Sequence, residues 1–149
     1  MDFKSFNTEE SSAEGTWMTV NDLTGNPLDA MIKVLGPDSK EAASIDIEAE
    51  RENSRKLGDM FASRAAGAAT KKADAPLPVD KEATERVERD VARAIRLTKD
   101  WKNISWGKDE LKFDKANATM LYTKVPMIRE QVLEYYKYRS NFIAPEPKS

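Results

Sequence analysis

Two of the three Trp, two of the five Phe and all four Tyr of this 149-residue chain fall within residues 100–142. The stretch reads DWKNISWGKDELKFDKANATMLYTKVPMIREQVLEYYKYRSNF. A Trp-rich turn, Gly107, an amphipathic segment ended by Pro126 and a second aromatic amphipathic segment succeed one another without a polar spacer. Large rings bury much area for little lost side-chain freedom, so the core of such a chain is centred here. Trp101, Trp106, Phe113, Leu121, Ile128 and Val132 are expected to be buried together.

The rest of the chain is read around that unit. TWMTVNDLTGNPLDAMIKVL is expected to form a β-hairpin: Trp17, Thr19 and Val20 begin one strand, residues 31–35 form the other, and Gly25, Asn26 and Pro27 mark the reversal. GPDSKE then stops the strand and opens a helix, with Asp38 as its cap and Glu41 at its third position. That helix runs to about Ala66. Its apolar stripe of Ile45, Ala49, Leu57, Met60 and Phe61 is interrupted by the polar EAERENSRK, so its centre projects into solvent while its ends meet different neighbours. Asp80 caps a second helix, DKEATERVERDVARAIRLTKDW, whose Val87, Val91, Ala94, Ile95 and Thr98 lie at steps of three and four. Asp114 caps a short helix carrying Ala116, Met120 and Leu121, and Pro126 opens another in which Ile128, Val132, Tyr135 or Tyr136 and Phe142 repeat.

The fold class is therefore α+β and mostly helical: an N-terminal β-hairpin followed by a small helical domain of about four helices with a flexible internal linker. The divisions are a flexible arm at residues 1–15, the hairpin and first helix at 16–64, a linker at 65–79, the Trp/Tyr-rich helical unit at 80–143 and a loose tail at 144–149. Residues 16–143 make one domain, which suits the chain length.

Composition narrows the function. The chain has neither Cys nor His, which removes disulfides, thiol catalysis, the commonest general base and the commonest metal ligand. Its carboxylates lie on charge-alternating helical faces without a paired motif, and no phosphate loop or metal spacing occurs, so no enzyme, cofactor or metal site is expected. The net charge of −2 gives no general pull towards nucleic acid or anionic lipid. Lys99, Lys102, Lys108, Lys112 and Lys115 do interleave with Trp101, Trp106 and Phe113, but Asp100, Asp109, Glu110 and Asp114 cancel most of that charge. Neither a membrane-spanning run nor a signal-peptide core is visible, so a soluble intracellular protein is expected.

Partner surfaces are then the remaining source of function. Tyr135, Tyr136 and Tyr138 cannot all face one core, because neighbouring helical positions diverge by about 100°. Together with Leu57, Met60 and Phe61 they are the candidate contact residues.

The order of several short pieces adds a family resemblance. Ile32-Lys33-Val34-Leu35-Gly36-Pro37-Asp38-Ser39 precedes a charged helix. Trp101 and the run Phe113-Asp114-Lys115-Ala116-Asn117-Ala118-Thr119-Met120-Leu121 follow a variable middle. Pro126-Met127-Ile128-Arg129-Glu130-Gln131-Val132 and Asn141-Phe142 close the series. This layout, over roughly two thirds of the chain, resembles the tail assembly chaperones of long-tailed, siphovirus-type bacteriophages. The Ala- and Pro-rich middle and Met127, where the family often has Trp, are departures. The resemblance implies a non-enzymatic protein of the host cytoplasm that self-associates and coats the tape measure protein while tail tube protein polymerises around it. Such a protein is absent from the mature virion, and many relatives have a longer frameshifted form that recruits the tube protein. The alternatives are a structural neck or tail-completion component of the virion and a phage-encoded regulator that binds a host protein.

Overall fold

The structure, a computed structural model, describes residues 2–66 and 79–143. Most of the linker expected at 65–79, and the tail at 144–149, lie outside the described residues. The elements are α1 (Glu9–Glu14), β1 (Thr16–Asn21), β2 (Pro27–Val34), α2 (Lys40–Ala66), α3 (Val79–Leu97), β3 (Thr98–Lys102), β4 (Ser105–Trp106), β5 (Asp109–Glu110), α4 (Lys115–Lys124) and α5 (Pro126–Tyr136). Two 3-10 turns, Phe3–Phe6 and Arg139–Phe142, flank the set. The fold is mixed α+β and mostly helical, with the N-terminal β1–β2 hairpin that the sequence predicts.

That hairpin gains a third strand, giving an antiparallel sheet in the order β1-β2-β3. Side chains alternate across a strand, so one registered row, Met18, Ile32 and Trp101, points into the core from all three strands. The neighbouring row of Trp17, Lys33 and Asp100 points the other way, and Lys102 lies 4.6 Å from the centre of the Trp17 ring. Helices α3, α4 and α5 cover the apolar face with Val91, Ala94, Leu97, Ala118, Leu121, Tyr122, Ile128 and Val132. In α4 it is Ala118, Leu121 and Tyr122 that turn inward, whereas Ala116 is exposed. Gln131 of α5 exchanges two hydrogen bonds with the backbone of Asn21, donating to its carbonyl at 2.9 Å and accepting from its amide at 2.8 Å.

Five expectations are corrected. The helix read through Trp101 ends at Leu97, and residues 98–102 pair with β2 as β3. Val34 faces Thr98 and Lys33 faces Asp100, so Lys99 is an extra residue, a bulge that leaves Thr98 and Trp101 buried three positions apart. That spacing imitates a helix in the sequence. Trp106 is not in the core but 42% exposed, because it sits on a separate β4–β5 hairpin. The two-residue loop there has Gly107 at φ 65°, which suits the first position of a II′ turn.

The cap of α2 is Ser39 instead of Asp38: its Oγ accepts from the amide of Ala42 at 3.1 Å and donates to the carbonyl of Gly36 at 2.7 Å. Asp38 is drawn to Arg139, whose Nε lies 3.0 Å from it, and to the Thr8 hydroxyl. Arg139 first and Thr8 second hold its carboxyl below the usual carboxylate range. α3 already includes Val79, so Asp80 lies in its first turn and does not cap it.

Finally, the stretch expected as a flexible arm is folded against the body. Ser12 is fully buried, and the Gly36 amide donates to its carbonyl at 2.9 Å. A Cβ on Gly36 would stand 2.7 Å from the Ser12 Cβ and 2.8 Å from the Phe142 ring, so α1 and the last turn meet at a position only glycine allows.

Trp101 is the ring that joins the sheet to the helices. It meets Phe113 edge-on at 5.0 Å and Tyr122 at 6.3 Å, and its indole Nε1 donates to the Leu111 carbonyl at 2.7 Å. Trp101→Ala is therefore expected to lower the unfolding free energy by about 3–5 kcal/mol. Trp106→Ala should stay within about 0.5 kcal/mol, as exposed substitutions do. Denaturant titration of the two variants checks the contrast.

Tyr122 yields a pH prediction. Burial raises its phenol well above the ordinary tyrosine value, against a smaller opposite effect of its bond to Thr98. The unfolded chain thus releases this proton first as pH rises, so stability is full below about pH 10 and falls above it. Near-ultraviolet titration should show one of the four tyrosines resisting ionisation in the native protein, with Tyr122→Phe removing that component.

Candidate partner-binding surfaces

α2 is the longest element, with 27 residues, and rises about 40 Å at 1.5 Å per residue. Its first turns are anchored: Ala42 and Ile45 enter the core, and Arg96 of α3 reaches Glu41 at 2.5 Å and also pairs with Glu48. Glu48 first and Glu41 second raise the Arg96 guanidinium above its ordinary value. From Asp46 to Ala62 every residue is exposed. Leu57 and Met60 are each 53% exposed and Phe61 is 64% exposed, so these three candidates stand together on the projecting half of the helix. They lie within five residues, at the one-turn spacing that puts side chains on one side.

The tyrosine set is divided. The Tyr135 hydroxyl is 2.7 Å from the Thr16 Oγ, and its ring meets Phe142 edge-on at 5.4 Å. Tyr136 accepts from the Arg93 guanidinium at 2.9 Å and lies half-buried beneath it. Both are committed to packing α5 against its neighbours. Tyr138 alone is exposed, at 54%, with its hydroxyl donating to Glu134 at 3.0 Å. The structure therefore brings Leu57, Met60 and Phe61 together, leaves Tyr138 on another face, and turns Tyr135 and Tyr136 inward.

A further surface was visible in the sequence only as one apolar helical face. Val91, Ala94 and Leu97 of α3 fill the core, while Val87 and Ile95 remain half-buried at the edge of a groove between α3 and α4. Val87, Val91 and Ile95 form its floor at steps of four, and Lys115, Thr119 and Thr123 of α4 form its wall at the same step. The groove holds about 410 Å³. The signal that marks it is that the α3 stripe of Val87, Val91, Ala94, Ile95 and Thr98 is wider than a seam against one neighbour requires. Two other depressions, of about 450 and 400 Å³, are lined mainly by polar side chains near Asp38 and near Asp22.

Among the described residues no group of three Asp or Glu stands where it could hold a metal ion, and no helix is long and apolar enough to cross a membrane. Trp106 is flanked by Lys124 at 5.8 Å, and Trp17 by Lys33 and Lys102, so the exposed Trp residues are each covered by a cation on separate parts of the surface. Comparison with protein-family models, curated proteins and solved structures found no match.

The division between structural and exposed residues is testable. Tyr135→Phe removes the bond to Thr16 and should cost about 1 kcal/mol. In dilute protein, Ser in place of Leu57, Met60 and Phe61 together should change the midpoint of chemical unfolding very little, each exposed site contributing within about 0.5 kcal/mol. A large loss that does not depend on protein concentration would mean that these side chains pack within the chain.

Proposed function

We propose that this chain is a non-enzymatic tail assembly chaperone that binds and solubilises the tape measure protein and assists polymerisation of the tail tube. The observation that carries the reading is apolar surface in excess of what the core takes: a groove between α3 and α4, and the projecting half of α2. A tape measure is a very long amphipathic helical chain that aggregates when uncovered. Its apolar face needs a groove that accepts anchors one helical turn apart, which is the spacing of Val87, Val91 and Ile95. Thr119 and Thr123 put neutral hydroxyls along the wall, and Lys115, Glu88 and Arg96 complete the lining with charges of both signs, a mixture that tolerates many sequences as a chaperone for a repetitive client requires. Leu57, Met60, Phe61 and Tyr138 supply further contacts for the client or for other copies. This role places the protein in the host cytoplasm during assembly and leaves the finished virion without it. Recruitment of tail tube protein belongs to the same reading.

Co-expression with the tape measure protein of the same phage is expected to raise its soluble yield and to give a complex with several copies of this chain. Val87→Glu combined with Ile95→Glu places charge in the groove and should abolish that rescue, with the far-ultraviolet circular dichroism of the free chain unchanged. Absence of any effect of the wild-type chain on tape measure solubility, or stoichiometric amounts of it in purified virions, would favour a structural neck or tail-completion component instead.

A further inference from the structure

The two sides of α2 have different fates. Glu41, Ile45 and Glu48 follow one another at steps of four and three on the side facing α3: Ile45 is buried, and Arg96 holds Glu41 and Glu48. Ala43, Ile47, Glu50, Ser54, Leu57 and Phe61 follow at the same alternating steps, and at about 100° per residue their stripe lies roughly 170° away from the first. All six are exposed, Ile47 at 48%. A continuous alternation of threes and fours is the spacing of a two-helix seam. This seam faces away from the body, and no element of the described residues covers it.

Its order of side chains says what fits it. From Ala43 to Phe61 it reads apolar, apolar, polar, polar, apolar, apolar. A parallel copy in register would set Glu50 against Glu50 inside the seam, a like-charge contact that is destabilising. An antiparallel copy related by a two-fold axis near residue 52 matches every position with its own kind. Ala43 then meets Phe61, a small side chain against a large one, Ile47 meets Leu57, and Glu50 meets the hydroxyl donor of Ser54. Each pairing occurs twice, as an isologous interface requires.

We infer that α2 of a second copy of this chain packs antiparallel on this seam, giving a two-fold dimer over about 27 Å of helix. The occupant is the chain itself because the stripe is complementary to its own reverse. The inference does not rest on the chaperone reading, and it assigns Leu57 and Phe61 to self-association, leaving the α3–α4 groove for a client.

The test uses the full chain, purified alone. Sedimentation equilibrium should give the mass of two chains for the wild type. Ile47→Asp and Leu57→Asp should each give the mass of one chain at the same concentration, with unchanged circular dichroism. Orientation is read by disulfide capture, which is clean because the natural sequence has no cysteine. An Ile47→Cys chain mixed with a Leu57→Cys chain should cross-link to each other, and neither should cross-link to itself. A wild type that stays monomeric to millimolar concentration, a dimer that both Asp variants leave intact, or self-cross-linking of either Cys variant alone would overturn the proposal. None of these results would touch the tape measure assay, so the two readings fail separately.

Discussion

A phenol cannot sit unpaired in an apolar core without a cost of about 1–3 kcal/mol, and the placement of Tyr122 settles much of this structure. Its ring is fully buried and its hydroxyl lies 2.6 Å from the Thr98 Oγ. Thr98 in turn donates to the carbonyl of Ala94 at 2.7 Å. That carbonyl is among the last four of α3, which have no partner inside the helix, so one hydroxyl relay satisfies a helix end and a buried phenol together. The Leu97 carbonyl accepts from the Leu35 amide at 2.7 Å, which ties the same helix end to the sheet. On the other side Arg129, itself buried, donates to the Tyr122 carbonyl at 2.9 Å and fixes the angle between α4 and α5. Four elements thus take their positions around one residue, and the switch from helix to strand at Leu97–Thr98 is part of that arrangement.

What was legible in the sequence follows from which signals are local. The β1–β2 hairpin, the extent of α2, the cap of α4 at Asp114 and the start of α5 at Pro126 rest on turn chemistry and capping within a few residues. β3 was hidden because its bulge puts buried Thr98 and Trp101 three apart, in phase with the helix before it, and only pairing with β2 distinguishes the two states. Ser39 and Asp38 both have capping chemistry, and the choice between them is made by Arg139, about a hundred residues away. α1 carries little apolar area, so composition gave no sign that Ser12 would pack on Gly36. Trp106 read as core because it is aromatic, yet the II′ turn at Gly107 carries it out to the surface.

The candidate surface was legible to the same degree. Leu57, Met60 and Phe61 could be singled out because the polar run before them breaks the amphipathic stripe, and a broken stripe is local information. The tyrosines could not be sorted, since all three lie in one short run and each has an apolar body and a polar tip. Their partners, Thr16 and Arg93, come from β1 and α3. The groove is not legible in the sequence, because the width of the apolar face of α3 matters only where α4 covers part of it.

The two exposed surfaces differ in what they can bind and how tightly. Val87, Val91 and Ile95 span nine residues of α3, about 12 Å, so a helix docked there as proposed would meet the groove over only two turns. Two turns present about three apolar anchors, each worth about 1.5–3 kcal/mol when fully buried. Association costs of several kcal/mol consume most of that gain, and a single groove is therefore a weak site. Joining two grooves through the proposed α2 dimer would change the arithmetic without any new contact to the proposed client. Once one groove is occupied, the second meets the same helical chain at an effective concentration in the millimolar range, provided that the client can span both. A long helical client satisfies that condition almost anywhere along its length, whereas a short peptide does not. Self-association through α2 would thus convert a weak and permissive groove into one that discriminates by length, which is the property by which a tape measure differs from other amphipathic helices in the same cell.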